Sequence, residues 1–206
     1  LQDLERFINE PQVEMDPIVR AALVHYQFET AHPFLDGNGR LGRLLITLML
    51  INDGVLHSCL FYPSFQFKKN RSEYYRQLTS VRERGTYEEW IEFFCNSLLE
   101  SAKDSVGSLK NLVDLHNRST ATITENLGRT AANGQRLLGI LEEHPIVDTA
   151  FIAAQLDIGR STASSLVKSF EELGILRPLD ESRQRYRQYG YEEYLSILRE
   201  DAEPIR

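Results

Sequence analysis

Apolar residues recur at helical spacing along most of the chain. Leu4, Phe7 and Ile8 predict a first helix over residues 1–9, ended by Pro11. Asp16-Pro17 predicts the start of a second, with an N-cap acceptor followed by proline at the first helical position. Ile18, Val19, Ala22, Leu23 and Tyr26 give it an apolar face. His32-Pro33 interrupts the pattern, because a residue before proline is pushed toward extended backbone. Asp36-Gly37-Asn38-Gly39 then reads as a turn. Residues 41–51 are almost wholly apolar (Leu44, Leu45, Ile46, Leu48, Met49, Leu50), the signature of a central helix buried on every side, closed by Asp53-Gly54. Further helices are predicted over 72–84 (Tyr75, Leu78, Val81), 86–99 (Trp90, Ile91, Phe94, Leu98) and 106–115.

Residues 117–134 turn polar and threonine-rich. They divide the chain into a domain over 1–118, a linker over 119–134 and a second domain over 135–206. In the second domain, Leu137, Leu138, Ile140 and Leu141 mark one helix. Asp148 caps another carrying Phe151, Ile152 and Leu156. After the turn Asp157-Ile158-Gly159, a third helix opens at Ser161 and stops at Gly174. Residues 175–179 and 185–191 read as two strands around Asp180-Glu181-Ser182. Helix, helix-turn-helix and hairpin is the order of a winged helix. The expected fold is mainly α: an all-helical core followed by a small winged helix-turn-helix domain with a β-hairpin.

The chain has 206 residues, 42% of them apolar, enough for a real core. A formal charge of −7 argues against wholesale non-specific nucleic-acid binding. Cys59 and Cys95 have no CxxC spacing and sit among apolar neighbours, so they read as buried free thiols. No stretch reaches the ~18 apolar residues of a membrane span, and the first residues lack the basic and apolar regions of a signal peptide. The chain opens on Leu1 rather than Met, which reads as a fragment or a processed form. The expected location is the cytoplasm.

The chemistry is concentrated between His32 and Arg43. Gly37 and Gly39 flank Asn38 and free the backbone to form a nest of N–H groups. The nest runs into the start of the apolar helix, where unpaired N–H groups attract anions. Arg40 and Arg43 share a face of its first turn. Cations there oppose the helix dipole by roughly 0.3–1 kcal/mol each, and a bound polyphosphate would offset that, since arginine forks match phosphate oxygens. Asp36 is a carboxylate suited to Mg²⁺, which takes one or two carboxylates plus substrate phosphates. His32, just before the loop, can take a proton from an attacking hydroxyl.

The stretch from His32 to Arg43 matches HxFx[DE]GNGRxxR at every specified position, and the chain thereby resembles the Fic domain family. The preceding residues 21–31 and the later Asn70-Arg71-Ser72-Glu73-Tyr74-Tyr75 are also similar to Fic proteins, so the resemblance covers roughly residues 1–115. It implies an all-helical core and a protein adenylyltransferase. His32 would deprotonate a Ser, Thr or Tyr hydroxyl of a target protein, which would attack the α-phosphorus of ATP and expel pyrophosphate. Asp36 would hold Mg²⁺; Gly37, Asn38 and Gly39 would line the anion hole. Arg40 would hold the leaving phosphates, Arg43 would bind the γ-phosphate, and Tyr74 and Tyr75 would border the adenine pocket. Two family features are not found: a target-docking flap hairpin ahead of the motif, and an inhibitory [ST]xxxE[GN] helix. Inhibition would then come from a segment cut away or from another chain.

The second domain offers Arg160 and Lys168 on its third helix, and Arg183, Arg185 and Arg187 at period two on the hairpin. These could meet DNA. Yet residues 130–206 hold 9 basic and 13 acidic residues, which favours a dimerisation or target-docking role. Besides AMP transfer, the sequence leaves open another Fic reaction (removal of AMP, transfer of another nucleotide, or phosphocholine transfer). It also leaves open a DNA-binding regulator with a nucleotide-sensing Fic domain.

Overall fold

The computed structural model describes residues 1–10, 14–57, 61, 63–180 and 187–200. The chain is mainly helical and divides into two compact units, Leu1–Val106 and a second from Gly107 onward.

The first unit contains α1 (Gln2–Asn9), α2 (Pro17–Ala31), α3 (Asn38–Asn52), α4 (Ser64–Lys69), α5 (Arg71–Arg84) and the start of α6 (Tyr87–Asn126). The cap read at Asp16 forms: its carboxylate accepts from the N–H groups of Ile18 at 2.8 Å and Val19 at 3.3 Å. α2 and α3 are antiparallel neighbours. The Arg20 guanidinium near the start of α2 pairs with the carboxylate of Asp53, the cap at the end of α3. At the other end, Glu29 of α2 lies against Gly42 of α3. The aromatic core forms around Trp90, Phe94, Phe67 and Tyr74, and the Trp90 indole donates to the Ala22 carbonyl at 3.0 Å.

α3 departs from its predicted burial. Ile46, Met49 and Leu50 face the core, but Leu41, Leu44 and Leu48 are 42%, 52% and 50% exposed. The helix is apolar all round yet covered on one side. Periodicity has no means of marking an open face when both faces carry leucine.

The segment expected to be a linker is helical. α6 runs unbroken for 40 residues, merging the helices predicted over 86–99 and 106–115 and continuing through Asn126. Its threonines bond backward along the helix, Thr122 to the Arg118 carbonyl at 2.9 Å and Thr124 to the Thr120 carbonyl at 2.7 Å. Their hydroxyls are satisfied without leaving helical geometry. Leu115, Ser119 and Ile123 supply a buried stripe at four-residue spacing.

After a short 3₁₀ turn at Gly128–Thr130, the second unit continues with α7 (Ala131–Glu143), β1 (Ile146–Asp148), α8 (Thr149–Leu156) and α9 (Arg160–Glu172). It ends with β2 (Arg177–Pro178), β3 (Gln188–Gly190) and α10 (Glu192–Glu200). The strands form one antiparallel sheet in the order β1-β3-β2, with Val147 opposite Tyr189 and Pro178 on the other side of Tyr189. Leu137, Leu141, Ile152, Phe170 and Tyr191 are fully buried between helices and sheet. Asp148 caps α8 as expected, accepting from the Phe151 N–H at 2.7 Å. β1 and α10 were not anticipated, and β2 and β3 are shorter than the predicted strands. Arg183, Arg185, Cys59 and Pro11 lie outside the described residues, as does most of the turn after Asp180. Cys95 is a half-buried free thiol whose pKa is pushed up chiefly by burial.

Candidate active site

α2 ends at Ala31, but not as the sequence suggests. His32 caps it in the left-handed conformation, φ 43° and ψ 57°, with its N–H on the Phe28 carbonyl at 3.0 Å. The capping bond outweighs the extended preference of a residue before proline. Such a conformation costs a non-glycine residue about 1–2 kcal/mol. It turns the chain sharply and leaves the imidazole exposed beside the loop.

The loop is pinned by one side chain. Asn38 is 2% exposed. Its Oδ1 accepts from the Phe34 N–H at 2.9 Å and its Nδ2 donates to the Phe34 carbonyl at 2.6 Å. The side chain therefore faces inward as a clamp, and what Asn38 offers outward is its backbone N–H. Gly37 takes φ 83° as the residue before α3, a conformation open to glycine. Asp36 Oδ1 accepts from the Gly37 N–H at 2.6 Å. Among the described residues no side-chain cap bond forms at the start of α3, so the first-turn N–H groups remain open to an anion.

Two cations lie on that turn. Arg40 is exposed and stands 3.6 Å from the Asp36 carboxylate. Arg43 folds back along the helix: a Cβ on Gly39 would come within 3.1 Å of its Nη1. The absent side chain of Gly39 thus makes room for the guanidinium. Arg43 Nε donates to Ser64 Oγ at 3.1 Å, and among the described residues no carboxylate lies within ion-pair distance of it.

Of the tyrosine pair, Tyr74 belongs to the core. It is 4% exposed, its hydroxyl is 3.0 Å from His25 Nε2, and burial drives its pKa up. A ring so enclosed has no face for an adenine. Tyr75 is exposed, with the Arg71 guanidinium 5.6 Å above its ring. His25 is fully buried, and desolvation lowers its pKa to about 4.

Three residues escaped the sequence reading. Ser64 holds Arg43, and Gly42 lets α2 and α3 approach. Glu29, half-buried one turn before His32, has its pKa raised by burial against the pull of Arg43 and His32. Only the three-residue spacing of Glu29 from His32 could have drawn attention to it.

Asp36 tests the fit of a divalent cation. Among the described residues no group of three or more His, Cys, Asp or Glu side chains converges. A lone exposed carboxylate beside an anion nest suits Mg²⁺ that takes its other ligands from phosphates and water. On the second unit, Arg160 and Lys168 are exposed on α9, Lys168 3.7 Å from Glu172, while Arg187 is half-buried. No helix among the described residues is long and apolar enough to cross a membrane.

The sequence profile of the Fic/DOC family matches residues 1–50. A protein adenylyltransferase fic-1 of Caenorhabditis briggsae is 34% identical over 111 residues, 53% of this chain and 20% of its own length. A protein adenylyltransferase Fic of Drosophila ananassae is 36% identical over 97 residues, 47% of this chain and 18% of its own. The chain spans about a fifth of the length of these curated relatives. A solved Fic family protein from Desulfovibrio desulfuricans aligns with 91% of this chain and 52% of its own, at 22% identity and a TM-score of 0.48. The profile match contains the whole run from His32 to Arg43, so it is residues 1–50 of this chain that are similar to the Fic/DOC family.

Proposed function

We propose that this chain transfers AMP from ATP to a Ser, Thr or Tyr hydroxyl of a target protein. The observation that carries the reading is the uncapped start of α3. It is entered through a left-handed Gly37, flanked by Arg40 and Arg43, and preceded on the same turn by the exposed imidazole of His32. His32 takes the hydroxyl proton as general base. The open N–H groups of the first turn and the two guanidiniums stabilise charge on the phosphates, and Arg43, held through Nε by Ser64 and without a carboxylate partner among the described residues, serves the terminal phosphate. Asp36 would hold Mg²⁺, which supplies charge neutralisation when bound. Tyr75 is the ring that can border the adenine. The relatives' names as protein adenylyltransferases support the same reading.

The test is incubation with α-labelled ATP, Mg²⁺ and a cell lysate, beside a His32→Ala variant. Label on protein that vanishes in the variant is expected; label that persists without His32 would overturn the mechanism. We read the second unit, from its element order, as a winged helix. A DNA mobility shift at moderate salt, abolished by Arg160→Ala with Lys168→Ala, is what would give it a nucleic-acid role.

A further inference from the structure

Arg43 is held by a neutral partner. Its Nε donates to Ser64 Oγ at 3.1 Å, and its Nη1 lies in the space left by Gly39, 3.1 Å from where a Cβ would stand. Among the described residues no carboxylate comes within ion-pair distance of it; Asp36 stands beside Arg40 instead, and Glu29 feels the charge of Arg43 without bonding it. Ser64 is itself well anchored. It opens α4, where Gln66 is buried and donates to Asp104 at 2.7 Å, and where Phe67 is buried in the aromatic core. An arginine presents two forks to a pair of oxygens, the side (Nε with one Nη) or the end (Nη1 with Nη2). Ser64 occupies Nε, so the end fork is the one left for a ligand. A hydroxyl orients the guanidinium and leaves its charge whole. A carboxylate in the same place would hold it harder and neutralise it.

We propose that Ser64 is a positioning residue that sets specificity: it aims the end fork of Arg43 at a terminal phosphate and so makes the site select a nucleoside triphosphate over a diphosphate. This rests on the reading of Arg43 as the terminal-phosphate ligand in the proposed AMP transfer. A diphosphate lacks the group that Arg43 meets, so the aim of Arg43 does nothing for it. For a triphosphate, a guanidinium already ordered by Ser64 has less freedom to lose on binding. Ser64 acts through Arg43 alone, so its effect lies in the choice of nucleotide rather than in the proton step.

The test is calorimetric binding, to the full chain with Mg²⁺, of the α,β-methylene analogues of ATP and ADP, which differ only in the terminal phosphate and resist cleavage at the α-phosphorus. The wild type is expected to prefer the triphosphate. Ser64→Ala should weaken the triphosphate about fivefold and the diphosphate by less than about twofold. Ser64→Thr keeps the hydroxyl and should keep the wild-type preference; a preference reduced to the Ala level overturns the proposal. Ser64→Asp separates aiming from mere support. It grips Arg43 harder, yet its charge should bring the two affinities to a ratio of about one. An Asp variant that keeps or improves the wild-type preference overturns the proposal, as does a ratio unmoved in Ser64→Ala. Trp90 fluorescence melting checks that each variant is folded, and the Thr and Asp variants carry the comparison if the Ala variant is not. A wild type that binds both analogues equally sinks the role of Ser64. A wild type with the preference intact that labels no protein sinks the transfer reading alone.

Discussion

Substituting Gly42 by alanine sets two known effects against each other. In an exposed helix interior the change would stabilise by about 1 kcal/mol, through backbone entropy. At this position the new methyl would sit 2.5 Å from Glu29 Oε1, 3.1 Å from His25 Cε1 and 3.2 Å from His25 Nδ1. The Glu29 carboxyl is the end of a flexible chain and can swing. The His25 ring cannot: it is fully buried, stacked between Phe67 at 5.7 Å and Trp90 at 6.1 Å, and tied to Tyr74. Relief must come from separating α2 and α3. Overpacking of this kind costs about 1–3 kcal/mol, so the net expectation is a loss of about 1 kcal/mol, or about 4–6 °C in Tm for a unit of this size. Trp90 is the only tryptophan and is buried in the first unit's core, so its fluorescence reports unfolding of that unit by itself. A Gly42→Ala protein that melts at or above the wild-type temperature would refute the claim that the helix contact is closed to a methyl.

Two further outcomes follow from the same packing. Asn38→Ala removes both bonds to the Phe34 backbone and should cost about 1–2 kcal/mol. It should also depress the proposed AMP transfer more than its stability loss explains, and retention of full labelling would show that the loop keeps its shape without the clamp. His25 has a folded-state pKa of about 4 against an ordinary value of 6.5, so the unfolded chain binds its proton more tightly. Its contribution, roughly 3 kcal/mol, is present above pH 6.5 and lost as pH falls toward 4. Glu29, with its pKa raised, acts in the opposite sense at the low end. Urea midpoints followed by Trp90 fluorescence should drop more between pH 7 and 4.5 in the wild type than in His25→Gln; parallel drops would contradict this account.

What the sequence made legible was local. Asp16-Pro17 begins a helix because cap and proline act within one turn, and Asp148 does the same for α8. The run from His32 to Arg43 is legible because its types are unusual together. Burial was less legible. Tyr74 and Tyr75 are adjacent and alike, and only the fold decides that one meets His25 while the other meets solvent. Asn38 looks like a turn residue in either role, and its inward clamp depends on a backbone four positions earlier. The threonines of α6 resemble a linker until their hydroxyls find carbonyls one turn back. β1 has three residues and draws its stability from β3, more than forty positions away.

The left-handed turn at His32 ties the aim of an imidazole to a backbone torsion rather than to a side-chain partner. Two common ways of deleting that imidazole are then unequal. Alanine removes the ring but remains an L-residue at φ 43°, subject to the same steric cost of about 1–2 kcal/mol. Glycine removes the ring and relaxes the turn as well, at the risk of loosening where α3 begins. The difference in stability between the two variants would weigh the torsion separately from the ring, turning a pair of deletions into a gauge of how tightly the chain is wound at this turn.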